Sequence, residues 1–103
     1  MMRIIEGKRY NTETAEKIVD WSNSYPPGDF KRCAESLYRT KKGNWFLAGE
    51  GGPMSKYAEP VGDMTGGGSG IIPLTDQDAL QWLEDKEFVD EIEAYFSESI
   101  DDA

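Results

Sequence analysis

The sequence predicts an α+β domain: a small antiparallel sheet of four or five strands with C-terminal helices packed on one face. Three patterns carry that reading. Residues 35–40 (ESLYRT) and 44–48 (NWFLA) are aromatic, strand-forming runs joined by the tight polar turn Lys41-Lys42-Gly43, a central hairpin over about 35–48. From about 76 to 97, apolar residues recur every three or four positions, as on the buried stripe of amphipathic helices. Between them, residues 49–70 hold eight glycines and two prolines, too irregular for an ordinary connection. A chain of 103 residues suits one domain spanning 1–103, large enough for one modest core.

Residues 4–10 read as a strand, followed by the turn Asn11-Thr12-Glu13-Thr14. Residues 16–22 (EKIVDWS) read as a second strand closing a hairpin with the first, although a helix over 12–21 also fits the spacing of Ala15, Ile18 and Val19. Residues 23–29 are a loop on their proline and glycine content. Ile71-Ile72-Pro73-Leu74 suits an edge strand, because proline cannot donate to an interior ladder. Thr75 is a helix N-cap, with Asp78 completing a capping box and Asp76 favourable in the first turn. The pattern breaks at Asp85-Lys86-Glu87, and a second helix begins with Phe88 and Val89 and continues through Ile92, Tyr95 and Phe96. The tail from Ser97 is expected to fray. The expected core contains Val19, Leu37, Trp45, Leu47, Leu80, Leu83, Ile92 and Phe96.

Charge is the most uneven property of the chain. The net charge is −9, yet residues 1–73 hold nine acids and ten bases, a net of +1. Residues 74–103 hold eleven acids and one base, Lys86, a net of −10. Adaptation of the whole surface to salt would spread acid along the chain, so the imbalance belongs to the helical segment. As one straight helix, 76–102 would be roughly 40 Å long. Its acids would then recur every ~3.6 Å, close to the charge spacing of about 3.4 Å along one DNA strand.

Catalytic constellations are missing. Histidine is absent, which removes the commonest general base and metal ligand. The single cysteine, Cys33, has no histidine to activate it, although Lys31 and Arg32 beside it could lower its pKa slightly. Gly51-Gly52-Pro53-Met54-Ser55-Lys56 lacks the spacing of a phosphate-binding loop, and Gly66–Gly70 leads into a strand rather than out of one. Neighbouring carboxylates such as Asp90 and Glu91 lack the order of a calcium loop. The chain therefore reads as no enzyme, with neither cofactor nor metal. No stretch is apolar enough to span a bilayer and the first residues are charged too early for a signal peptide, so a cytoplasmic setting in a bacterial host is expected.

Binding readings remain. The acids Asp85, Glu87, Asp90, Glu91, Glu93 and Glu98 would give a carboxylate-rich helical face able to dock on a basic protein surface and to associate quickly through electrostatic steering. Alternatively, the glycine-rich loop around Lys56 and Tyr57 would serve a regulatory or housekeeping adaptor, with Tyr57 either its anchor or a lid on the core. A third surface, the basic hairpin tip with Lys8, Arg9, Lys31 and Arg32, suits nucleic acid by composition. The acidic helices would repel a polyanion, so no direct nucleic-acid binding is expected.

Three stretches taken together resemble a known group: residues 8–15 (KRYNTETA), residues 35–47 (ESLYRTKKGNWFL) with 49–57, and Ile71-Ile72-Pro73-Leu74-Thr75 before a helix. The order is similar to that of a widespread family of small bacterial proteins carried on phages, plasmids and other mobile elements. The resemblance covers most of the chain and supplies no catalytic residues. It implies a context, that of acidic inhibitors of host defence such as anti-CRISPR or anti-restriction proteins, some of which present carboxylates in place of DNA phosphates. The partner it implies is a CRISPR effector or another nucleic-acid-binding defence complex.

Overall fold

A computed structural model describes residues 1–103. Eight strands precede two helices: β1 (Met2–Ile5), β2 (Lys8–Asn11), β3 (Glu16–Ser22), β4 (Cys33–Arg39), β5 (Trp45–Gly51), β6 (Glu59–Val61), β7 (Met64–Gly66), β8 (Gly68–Leu74), α1 (Asp76–Asp85) and α2 (Val89–Phe96). A short 3-10 turn, Ser97–Ser99, follows. The central sheet is antiparallel with order β3-β4-β5-β8. The fold is thus α+β, as the sequence indicates. No helix is long and apolar enough to cross a membrane.

Register assigns each side chain to a face. Leu37 pairs with Leu47, which pairs with Ile72, and Tyr38 pairs with Phe46, which pairs with Pro73. Because successive side chains alternate, the first row faces one side and the second row the other. Leu37, Trp45 and Leu47 meet Ala79, Trp82 and Leu83 of α1 and Phe96 of α2, with Val19, Leu80 and Ile92 packed at the margin. Tyr38, Phe46 and Ile71 form a second core with Tyr10 on the opposite face. Helices therefore cover one side of the sheet, and the β1–β2 hairpin covers the other.

Three readings are corrected. Residues 4–10 are not one strand: the chain reverses at Glu6-Gly7, both with positive φ (51° and 77°), so that β1 and β2 form their own two-stranded ribbon. Two consecutive positive φ values define the type I′ turn, whose right-handed twist matches that of a hairpin. Strand β3 is consequently not the partner of that segment, and pairs with β4 instead. The glycine-rich stretch 49–70 is not one loop. It completes β5, forms the β6–β7 hairpin and enters β8.

The helices begin and end for local reasons. The Thr75 hydroxyl accepts from the Asp78 amide (3.1 Å) and the Asp78 carboxylate accepts from the Thr75 amide (3.3 Å), so the predicted capping box is present. Helix α1 ends where the Glu87 amide donates to the Glu84 carbonyl and the Phe88 amide to that of Leu83, with Glu87 left-handed at φ 61°. This is a Schellman closure with glutamate where glycine is usual. The acidic segment is therefore two helices meeting at a turn, and the even spacing of a single 40 Å rod does not exist.

Candidate functional site

Two polar features stand out, one inside and one on the surface. The internal one centres on Glu35, whose side chain lies on the helix-covered face of β4 and is 2% exposed. Tyr57 donates its hydroxyl to one carboxylate oxygen (2.7 Å), and Trp82 of α1 donates its indole N–H to the other (3.0 Å). The Lys56 ammonium stands 2.6 Å from the oxygen that Tyr57 uses. Burial alone would raise the Glu35 pKa, but hydrogen bonds from Lys56, Trp82 and Tyr57 outweigh it and hold the carboxyl below its ordinary value. The acid is ionised, enclosed and fully partnered. It joins the sheet, the 52–58 crossing and α1 through one side chain.

Tyr57 is consequently a lid rather than a surface anchor: it is buried, and its ring occupies the space above Gly49. Burial and the neighbouring Glu35 carboxylate push the Tyr57 hydroxyl pKa far up, so it stays a donor. A Cβ at residue 49 would overlap that ring. Gly49→Ala is therefore expected to expel Tyr57 and to lower stability by about 1–3 kcal/mol, the range for an overpacked core site, measured by urea unfolding followed through tryptophan fluorescence. Cys33 is buried near this centre, and burial, then Glu35, push its thiol pKa up rather than down. No three Asp, Glu or Cys side chains converge to hold a metal ion.

The surface feature lies on the helical segment. Asp85 and Glu87 flank the α1–α2 turn, Asp85 accepting from Gln81 (2.9 Å). Asp90 and Glu91 occupy the first turn of α2, where the helix dipole favours acids. Glu93 is exposed on α2 and Glu98 sits in the 3-10 turn. The structure's only two salt bridges are Lys17–Asp20 and Lys56–Glu35, so no acid of the segment is neutralised. Lys86, its one base, lies over the rings of Trp21 (4.3 Å) and Trp82 (5.2 Å) instead. That cation stacks on the core edge and leaves the acidic field uncompensated.

What the fold gathers is an open groove of about 400 Å³ between α1, α2 and the C-terminal turn. It is lined by the apolar Leu80, Val89, Ile92 and Ile100 together with the acids Glu84, Glu93 and Asp101. Val89 is 59% and Ile100 43% exposed, and both lie against the one groove. Of the acids singled out in the sequence only Glu93 lines this groove. Glu84 and Asp101 join it only because α1 turns back on α2, a consequence of the closure at Glu87. Comparison with family models, curated proteins and solved structures finds no match for the chain.

Proposed function

We propose that this domain is a non-catalytic binding protein that docks its acidic helical face on a basic, nucleic-acid-handling surface of another protein, in the manner of an inhibitor of a host-defence complex. The observation that carries the docking is the half-apolar groove whose acids, Glu84, Glu93 and Asp101, have no counter-ion. A groove lined by apolar side chains and by acids of one sign complements a segment presenting aliphatic side chains flanked by Lys or Arg. The uncompensated field of the segment would speed the encounter, and burial of Val89 and Ile100 would hold the complex. The host-defence context follows the resemblance of the sequence. Glu35 serves the fold in this reading, since its two oxygens are occupied by partners of the same chain.

The test uses a synthetic helical peptide with Leu and Lys at amphipathic spacing, beside a peptide of the same composition in scrambled order. The patterned peptide is expected to bind more tightly, and E84K/E93K to weaken it by roughly tenfold or more through like-charge repulsion. V89S/I100S should remove the preference for the patterned peptide. Equal binding of both peptides, unaffected by V89S/I100S, would show simple polycation attraction and no docking groove.

A further inference from the structure

The face opposite the helices carries a cleft lined by residues of the opposite charge. This cleft, of about 510 Å³, opens between the β1–β2 ribbon and the β4–β5 turn. Lys8 and Arg9 line it from one side and Lys41 and Lys42 from the other, with Thr14 and Asn44 among its polar neighbours. No carboxylate is among the lining residues. None of the four cations is in a salt bridge, although the chain holds twenty acids. Lysines on a lone turn are ordinarily solvated. Here two separate hairpin ends bring four cations around one concave volume, within the size range of small-molecule sites.

Beyond the Lys41-Lys42 tip lies an adjoining cleft lined by Arg39, Glu16 and Tyr95. The Arg39 guanidinium rests over the Trp45 (5.0 Å) and Tyr95 (5.7 Å) rings, and its buried Nε–H has no hydrogen-bond partner. Glu16 there accepts from the Tyr95 hydroxyl (3.1 Å). The hairpin tip therefore stands on a fixed base, with a donor of Arg39 unused beneath it.

We infer that the Lys8–Arg9–Lys41–Lys42 cleft binds a phosphate-bearing small molecule of about nucleotide size. Lys and Arg residues around one cleft, with a nearby hydroxyl and amide, are the donor set that a multiply charged phosphate recognises. A compact ligand fits better than a nucleic-acid strand, because the −10 segment of the same small domain repels an extended polyanion along its whole length. This site is independent of the docking groove.

The experiment is an NMR titration of the full ¹⁵N-labelled chain with ATP at low salt, and separately with an oligothymidylate of about twelve nucleotides, a typical single-strand site size. ATP is expected to give saturable shifts at the backbone amides of residues 7–11 and 40–44. K41Q/K42Q, exposed turn changes, should weaken binding about tenfold or more through lost charge-assisted hydrogen bonds. K31Q, outside the cleft, should leave it unchanged, and the tryptophan fluorescence of each variant reports folding. Absence of saturable shifts at the cleft, or equal weakening by K31Q, overturns the site. Tighter binding of the oligothymidylate through the same amides overturns the small-ligand assignment.

Discussion

Glu35→Ala is expected to destabilise the domain by about 2–6 kcal/mol, the cost of leaving two buried donors unpaired at about 1–3 kcal/mol each. The substitution removes the acceptor of two buried donors, the Tyr57 hydroxyl and the Trp82 indole N–H. Lys56 suffers less, because its ammonium is half exposed and water can replace the carboxylate. At roughly 4–8 °C per kcal/mol for a domain near this size, the melting temperature should fall by about 8 °C or more. Glu35→Gln keeps the shape and one acceptor, so it should lose less. The two variants also differ from the wild type in pH dependence. The Glu35 pKa is lowered in the folded state from an ordinary 4.5. Its ionised form therefore contributes stability at pH values above about 4.5, and that contribution is lost as the pH falls through the depressed folded value. Thermal melts from pH 7 downward should show a steeper acid loss in the wild type than in Glu35→Gln. Parallel acid limbs would mean that Glu35 is not the ionised centre described. At the alkaline end the sign reverses. Tyr57 is held protonated in the fold, so stability should decline above the ordinary phenol value of 10, less so in Tyr57→Phe.

Trp45→Ala should cost a similar 3–5 kcal/mol, the usual range for deleting a buried aromatic side chain. Trp45 is 2% exposed, stacks on Phe96 (ring centroids 5.2 Å apart) and meets the edge of Tyr95 (5.6 Å). It thus joins the sheet to α2 through two aromatic contacts, and it also carries the Arg39 guanidinium. Loss of the ring should loosen α2 before the sheet. Hydrogen exchange should rise first at α2 amides, with the β4–β5 amides protected until global unfolding. Uniform exchange across both would contradict that order.

Much of this architecture was legible because local and global signals agree. Aromatic runs on either side of Lys41-Lys42-Gly43 and the Thr75–Asp78 capping box each specify one conformation from a few neighbouring residues. The Glu6-Gly7 reversal escaped because glutamate gives no sign that it will take positive φ, unlike the Asn or Asp usual there. The glycines of 49–70 looked like flexibility, whereas Gly49 is small to admit Tyr57. That partnership spans eight residues, from β5 to the turn before β6, beyond the reach of periodicity. Glu35 was hidden for the same reason, since a single acid in a strand looks solvated until Tyr57 and Trp82 are brought to it. The acidity of the C-terminal segment was plain from composition. The groove within it depends on the turn at Glu87, which sets α1 against α2 and selects Glu84 and Asp101 over acids that lie elsewhere.

The most direct test of docking through the acidic helical face is paired affinity capture from bacterial lysate, with tagged wild type and with D90K/E91K/E93K, at low and high salt after nuclease treatment. These three residues are on α2 away from the Glu35 centre, and circular dichroism establishes that the variant is folded. A nucleic-acid-binding protein retained by the wild type, released by salt and absent with the variant is the predicted result. The same protein retained equally by both, at either salt concentration, would contradict the role assigned to the acidic face.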